Sequence, residues 1–138
     1  MYKNNNKGFT LIEIMLVITI IGILAAVVIP RLTGRSEEAR VNASKLQIEN
    51  ISAALDTFEL DNGHFPATAE GLNALRVQPP NVKNWKGPYL KKDVPNDPWG
   101  TPYIYRSPGM HSKDYDLISY GKNGTEGGND DITSWENQ

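Results

Sequence analysis

Residues 1–30 read MYKNNNKGFTLIEIMLVITIIGILAAVVIP, and this stretch decides the architecture of the chain. A polar leader ends at Gly8, and the 21 residues from Phe9 to Ile29 are apolar except for two threonines, one glycine and Glu13. A helix over this run would be roughly 31 Å long, close to the thickness of the hydrocarbon core of a bilayer. The sequence therefore predicts a transmembrane helix over residues 9–30.

Two ordinary kinds of targeting segment explain this pattern only in part. A secretory signal has an apolar stretch of about 7–15 residues before a small-residue cleavage site, whereas the run here is longer and ends in apolar residues and Pro30. A plain signal anchor explains the length, and Lys3 and Lys7 would keep its N-terminus in the cytoplasm. It does not explain Glu13, because a carboxylate at membrane depth is costly and by default indicates function.

A third kind of segment accounts for the whole pattern. Residues 7–13, KGFTLIE, resemble the class III signal of type IV pilins and pseudopilins. The resemblance implies that residues 1–8 are a leader, which a prepilin peptidase removes by cutting after Gly8. It also implies methylation of the new N-terminal residue, Phe9, and a role for Glu13 in assembly.

Glu13 has a physical reason for such a role. Cleavage would leave a positive amine on Phe9, about one helical turn from the carboxylate. In a bundle of such helices, the carboxylate of one subunit can meet the amine of its neighbour in a low-dielectric environment, where the attraction exceeds that in water. The alternative is that Glu13 reaches the cytoplasmic headgroups from its place near the helix end.

The rest of the chain is long enough for one small domain. Residues 31–138 include a continuation of the helix, so the globular part of this predicted periplasmic head has only about 80 residues and a correspondingly small core. The sequence contains no cysteine to stabilise it. From Arg31 onward 12 basic and 15 acidic residues are scattered along the chain, which does not indicate a nucleic-acid partner.

The hydrophobic pattern predicts an α+β fold. An amphipathic stripe continues the helix past Pro30 to Asp61, and Asn62-Gly63 forms its stop. A short helix is expected over Ala69–Leu75, followed by a tight turn at Asp97–Gly100 with Trp99 in the core. Strands are expected over Tyr103–Arg106 and Tyr115–Tyr120, joined as a hairpin or a short meander. The residues of the stripe are Val41, Ser44, Ile48, Ile51, Leu55 and Phe58.

Two longer segments narrow the resemblance within the superfamily. Residues 86–105, KGPYLKKDVPNDPWGTPYIY, and 115–135, YDLISYGKNGTEGGNDDITSW, resemble the major pseudopilins of the bacterial type II secretion system. The resemblance implies a pilin-like fold, with the long helix packed on a small antiparallel sheet and the C-terminal loop binding calcium.

The same resemblance implies a function and a location. The chain would cross the bacterial inner membrane once, with its N-terminus cytoplasmic and its head periplasmic. It would polymerise into a periplasmic helical filament that supports export of folded proteins across the outer membrane. Its partners would be other copies of itself, minor pseudopilins, an inner-membrane assembly platform and the prepilin peptidase.

The loop from Ser119 to Ser134 is a candidate calcium site. Its four glycines permit tight turns, and its carboxylates and amides supply the oxygen ligands that calcium prefers. The residues alone leave open a solvated acidic loop. The resemblance implies calcium as a cofactor, with an asparagine where the family usually has aspartate, which should weaken affinity. The implied ligands are the Tyr120 carbonyl, the Asn123 side chain, the Thr125 position, and the carboxylates of Asp130 and Asp131.

No pattern in the sequence indicates an enzyme. His64 and His111 lie next to turn residues without a second ligand at metal-binding spacing, and no nucleophile elbow or phosphate loop is present. Two alternatives to the secretion subunit stay open at this point. One is a subunit of a type IV pilus or related filament, and the other is a membrane-anchored periplasmic binding protein or enzyme.

Overall fold

One long helix dominates the secondary structure. The computed structural model describes residues 8–136, apart from the side chains of residues 29–34, so most of the predicted leader lies outside the described residues. Helix α1 runs over Leu11–Asn62, which confirms the predicted long helix to within two residues at its start and one at its end. The chain divides into two compact units, one up to Glu38 and one from Ala39 onward.

The first unit contains the apolar half of α1. The segment Leu11–Val28 is long and apolar enough to cross a membrane, and none of it is buried within the protein. Its large side chains are therefore exposed in the monomer, including Ile12, Leu16 and Ile23. A fully exposed apolar helix needs a lipid or protein partner, as expected for the predicted transmembrane segment.

The second half of α1 supplies one side of the core of the second unit. Five residues of the predicted stripe are buried, and Val41 is partly buried and packs against them. The charged residues between them remain exposed, so the amphipathic prediction is confirmed. The buried members of the stripe are Ser44, Ile48, Ile51, Leu55 and Phe58.

A three-stranded antiparallel sheet supplies the other side. Strand β1 (Ile104–Arg106) pairs with β2 (Asp116–Ser119), and β2 also pairs with β3 (Ile132–Thr133), giving the order β1-β2-β3. Tyr105 lies opposite Leu117 in the register, and both are buried in the same cluster as the helical stripe. Of the two predicted connections the structure has the hairpin, and each of the two strands is slightly shorter than expected.

Two expectations for the connecting segments need correction. The predicted helix over Ala69–Leu75 is a single 3-10 turn over Leu72–Leu75, because Gly71 has a φ of +61° and cannot continue a right-handed helix. Trp99 is only partly buried and packs against the edge of the core.

The Asp97–Gly100 turn is held by a buried carboxylate. Oδ1 of Asp97 accepts the backbone N–H groups of Trp99 (3.1 Å) and Thr101 (2.8 Å). Oδ2 accepts the hydroxyl of Ser119 on β2 at 2.6 Å. The turn predicted at these residues is therefore confirmed, and Asp97 attaches it to the sheet.

The carboxylate of Asp116 holds the hairpin connection between β1 and β2 in the same way. Its fully buried carboxylate accepts the backbone N–H groups of Met110 (2.8 Å), His111 (3.0 Å) and Ser112 (2.9 Å). Nδ1 of His111 lies 3.1 Å from the same carboxylate, and the imidazole ring stacks on Trp135. Burial alone raises the pKa of Asp116, but these hydrogen bonds outweigh it and the pKa is lowered overall.

We predict that Asp116→Asn destabilises the head at neutral pH by about 1–3 kcal/mol, because the amide cannot accept all of these hydrogen bonds. A lowered folded-state pKa means that the stabilisation is present above the unfolded-state value, near pH 4, and is lost as pH falls through the folded value. The Tm gap between wild type and variant should therefore shrink between pH 7 and pH 3. Asp114→Asn, which alters an exposed carboxylate two residues away, is the control. An equal gap at both pH values would contradict the prediction.

Candidate functional site

The N-terminal candidate site begins with a helix cap. The N–H of Thr10 donates to Oε2 of Glu13 at 2.7 Å, and the Thr10 hydroxyl donates to the same oxygen at 2.8 Å. The N–H of Glu13 in turn donates to the Thr10 hydroxyl oxygen at 3.3 Å. This reciprocal pattern is a capping box, in which Thr10 precedes the first helical residue and Glu13 is the third.

The cap fixes one oxygen of the carboxylate and leaves the other available. Among the described residues, Oε1 of Glu13 accepts no hydrogen bond. Sequence reasoning singled out Glu13 but missed Thr10, although a threonine three residues before a glutamate at the start of an apolar run is the usual signature of this cap. Gly8 and Phe9 lie just before the helix, and Phe9 is exposed.

The C-terminal candidate site is the connection between β2 and β3, residues 120–131. Its two ends are joined by Asn123 and Asp130. The backbone N–H of Asn123 donates to Oδ2 of Asp130 at 2.8 Å, and its side-chain amide donates to Oδ1 at 2.6 Å. The structure therefore brings two of the predicted ligands into direct contact.

The remaining predicted ligands lie around this pair. Thr125 donates its N–H to Oδ1 of Asn123 at 2.7 Å, and Oδ2 of Asp131 accepts the N–H of Gly127 at 2.8 Å. Tyr120 begins the connection directly after β2. The predicted ligands thus belong to one loop, although among residues 8–136 no three histidine, cysteine or acidic side chains are placed to hold a metal ion together.

One carboxylate oxygen in this loop has no hydrogen-bond partner among residues 8–136. Oδ1 of Asp131 is buried and accepts no hydrogen bond from that part of the chain. A buried, unsatisfied carboxylate oxygen requires an explanation, and a bound cation is one of the few partners that can satisfy it. The donor set of two carboxylates, an amide, a hydroxyl and carbonyl groups is also that of a hard cation. The residues of the loop therefore fit calcium.

An ion pair attaches the loop to the sheet. Arg106 on β1 contacts the carboxylate of Glu126 through both terminal nitrogens, at 3.1 and 3.2 Å. This contact lowers the pKa of Glu126 and raises that of Arg106. The pair was not predicted, because the two residues are 20 positions apart in the sequence.

Two family models together match almost the whole chain. The model of the prokaryotic N-terminal methylation motif matches residues 3–29, and that of type II secretion system protein G matches residues 31–135. The chain belongs to the type II secretion system protein G family.

Named relatives agree with this assignment. The chain is 49% identical to the type II secretion system core protein G of Pseudomonas aeruginosa, with 99% of this chain and 100% of the relative covered. It is 44% identical to the core protein G of Escherichia coli, with 96% and 92% covered. The corresponding protein of Vibrio cholerae is 42% identical, with 95% and 92% covered.

A solved structure supports the same family at the level of the fold. The major pseudopilin from the type 2 secretion system of enterohaemorrhagic Escherichia coli superimposes with a TM-score of 0.69 at 32% identity, covering 78% of this chain and 92% of that one. The predicted pilin-like α+β fold and the predicted family are therefore confirmed. The comparisons favour the secretion subunit over the type IV pilus subunit, and the family is one of structural pseudopilins.

Proposed function

We propose that this protein G family member is the major structural subunit of a type II secretion pseudopilus. The observation that carries the proposal is an exposed apolar helix, capped by a carboxylate, in a chain whose remaining residues have the pseudopilin fold. The subunit is held in the bacterial inner membrane by Leu11–Val28, with its N-terminus cytoplasmic and its head periplasmic. It polymerises into a periplasmic filament that supports export of folded proteins across the outer membrane.

The proposed assembly needs several partners. The main partner is a second copy of the same chain, because the exposed apolar helix must find another apolar surface when it leaves the lipid. The prepilin peptidase removes residues 1–8 and methylates Phe9. Minor pseudopilins and an inner-membrane assembly platform complete the set of partners.

Glu13 is the proposed contact between neighbouring subunits. Its cap holds Oε2, so Oε1 is presented in a fixed direction and can accept a hydrogen bond from the Phe9 amine of a second copy. In a low-dielectric environment such a pair is strong only when both charges are present, because an unpaired charge carries a large desolvation penalty. Glu13 would thereby fix the axial register of the filament.

The first test of this function concerns processing. We predict that the mature chain begins at Phe9 and carries a methylated amine, since Gly8 precedes the apolar run. Intact-mass measurement of protein extracted from membranes detects both changes. A mature chain that begins after Ala26, or one that retains Met1, would contradict the proposal.

The second test concerns Glu13. We predict that Glu13→Ala is inserted and cleaved normally, because removing a charge makes insertion easier, but that it forms no filament and does not support secretion. Sheared filaments are counted by electron microscopy, and secreted protein is assayed in the medium. Thr19→Ala removes a polar group from the same helix without changing charge, and it should assemble normally. Filament yields of Glu13→Ala equal to those of wild type would refute the pairing.

We further propose that the C-terminal loop binds calcium. The carbonyl of Tyr120, the side chain of Asn123, the Thr125 position, and the carboxylates of Asp130 and Asp131 would hold the ion. A bound calcium ion supplies positive charge and additional oxygen coordination within an acidic loop. Oδ1 of Asp131 supports the proposal because it is buried and accepts no hydrogen bond from the described part of the chain.

The third test measures stabilisation by calcium. A ligand that binds only the folded state at a hundredfold excess over its Kd stabilises by about 2.7 kcal/mol. We predict that calcium raises the Tm of the full chain in detergent micelles, followed by tryptophan fluorescence, since all three tryptophans lie beyond residue 84. Asp130→Ala and Asp131→Ala should abolish most of this shift, while the exposed Asp93→Ala should retain it. A Tm independent of calcium in wild type would refute the site.

A further inference from the structure

The Asn123 side chain lies at the centre of the C-terminal loop and uses all of its polar groups. Its Nδ2 donates to the carbonyl of Gly127 at 2.8 Å and to Oδ1 of Asp130 at 2.6 Å. Its Oδ1 accepts the N–H of Thr125 at 2.7 Å and the hydroxyl of the same residue at 3.2 Å. One amide therefore connects the start, the middle and the end of the loop.

The backbone leaves room for this amide at Gly128. A Cβ atom at that position would collide with Nδ2 of Asn123 and come within 3.0 Å of Oδ1 of Asp130. Gly128 also has a φ of +95°, a conformation that other residues rarely adopt. The Asn123 amide therefore occupies the space that a side chain at position 128 would take.

Nδ2 of Asn123 resembles a cation in one respect, since it binds two oxygen atoms at once. An amide nitrogen carries two hydrogen-bond donors, whereas an ionised aspartate in the same place would present only acceptor oxygens. With aspartate at position 123, two carboxylate oxygens would face each other at the place where Nδ2 now lies 2.6 Å from Asp130. That arrangement is repulsive unless a cation lies between the two groups.

We propose that the Asn123 amide is a built-in partial substitute for the calcium ion. Without calcium, Nδ2 joins the Gly127 carbonyl to the Asp130 carboxylate and keeps the loop closed, so calcium assists closure rather than being required for it. Asn123 is thus the residue that sets how strongly the stability of the head depends on calcium. This inference rests on the calcium site proposed above, and its test separates the two.

The test compares two single-charge variants of the same loop. Asn123→Asp removes the donor bridge and adds a charge beside Asp130. Asn129→Asp adds the same charge to the same loop, at an exposed residue whose side chain makes no hydrogen bond among the described residues and whose φ of +64° aspartate tolerates. The full chains are purified in detergent with calcium, and their melting is followed by tryptophan fluorescence with calcium or with chelator added immediately before heating.

In chelator, Asn123→Asp should melt about 5 °C or more below Asn129→Asp, because only the former has lost the bridge. Calcium should remove most of this difference, so the calcium-induced Tm shift of Asn123→Asp should exceed that of wild type. A variant already unfolded when the chelator is added counts as the lowest Tm. Equal Tm values of Asn123→Asp and Asn129→Asp in chelator would overturn the proposal that the Asn123 amide substitutes for calcium.

A third variant removes the bridge without adding charge. Asn123→Ala should melt below wild type in chelator and recover less than Asn123→Asp when calcium is added, because alanine offers no oxygen ligand. If Asn123→Ala and wild type have the same Tm in chelator, the proposal that the Asn123 amide substitutes for calcium is overturned, regardless of the Tm values measured with calcium. If calcium does not restore the lowered Tm of Asn123→Asp, the calcium site itself is overturned. The Asn123 amide would then be a structural bridge only.

Discussion

The contact between one face of helix α1 and the three-stranded sheet carries the stability of the head. Ile51, Leu55 and Phe58 of the helix are completely buried, in one cluster with Leu117 of β2. The strands are only three, four and two residues long, too short to form a stable sheet without a partner surface. The helix therefore organises the sheet. Because the membrane segment belongs to the same helix, the element that anchors the subunit also supports its core.

Carboxylates hold the loops that this core leaves uncovered. Asp97 binds the turn before β1, Asp116 binds the hairpin before β2, and Asp130 binds the loop before β3. Each accepts at least one backbone N–H group from a loop, which helps a head with so little regular structure to satisfy its backbone. Calcium binding would extend this arrangement, since Asp130 and Asp131 would then be neutralised by an ion in addition to the N–H groups of the loop.

Elements whose hydrophobic pattern repeats over many residues could be predicted, and contacts that depend on a few distant residues could not. The stripe from Val41 to Phe58 repeats over several turns, so helix α1 was predicted nearly to its ends. Strand β3 has two residues and therefore no periodicity to detect. The role of Asp116 was missed because its three N–H partners precede it in a hairpin whose conformation no local pattern fixes. The candidate ligands of the loop came from a resemblance, and their hydrogen bonds required the structure.

Each candidate site contains a carboxylate of which one oxygen accepts a hydrogen bond and the other does not. This difference between the two oxygens has the same physical meaning in both sites. Within the part of the chain that the structure describes, Glu13 uses Oε2 for its cap and Asp131 uses Oδ2 for Gly127, while Oε1 of Glu13 and the buried Oδ1 of Asp131 accept no hydrogen bond. A carboxylate fixed through one oxygen loses little further freedom when the other is bound, so the entropic cost of binding is reduced. The proposed partners differ accordingly. In an apolar helix the partner is the amine of a second subunit, and in a glycine-rich loop it is a small cation.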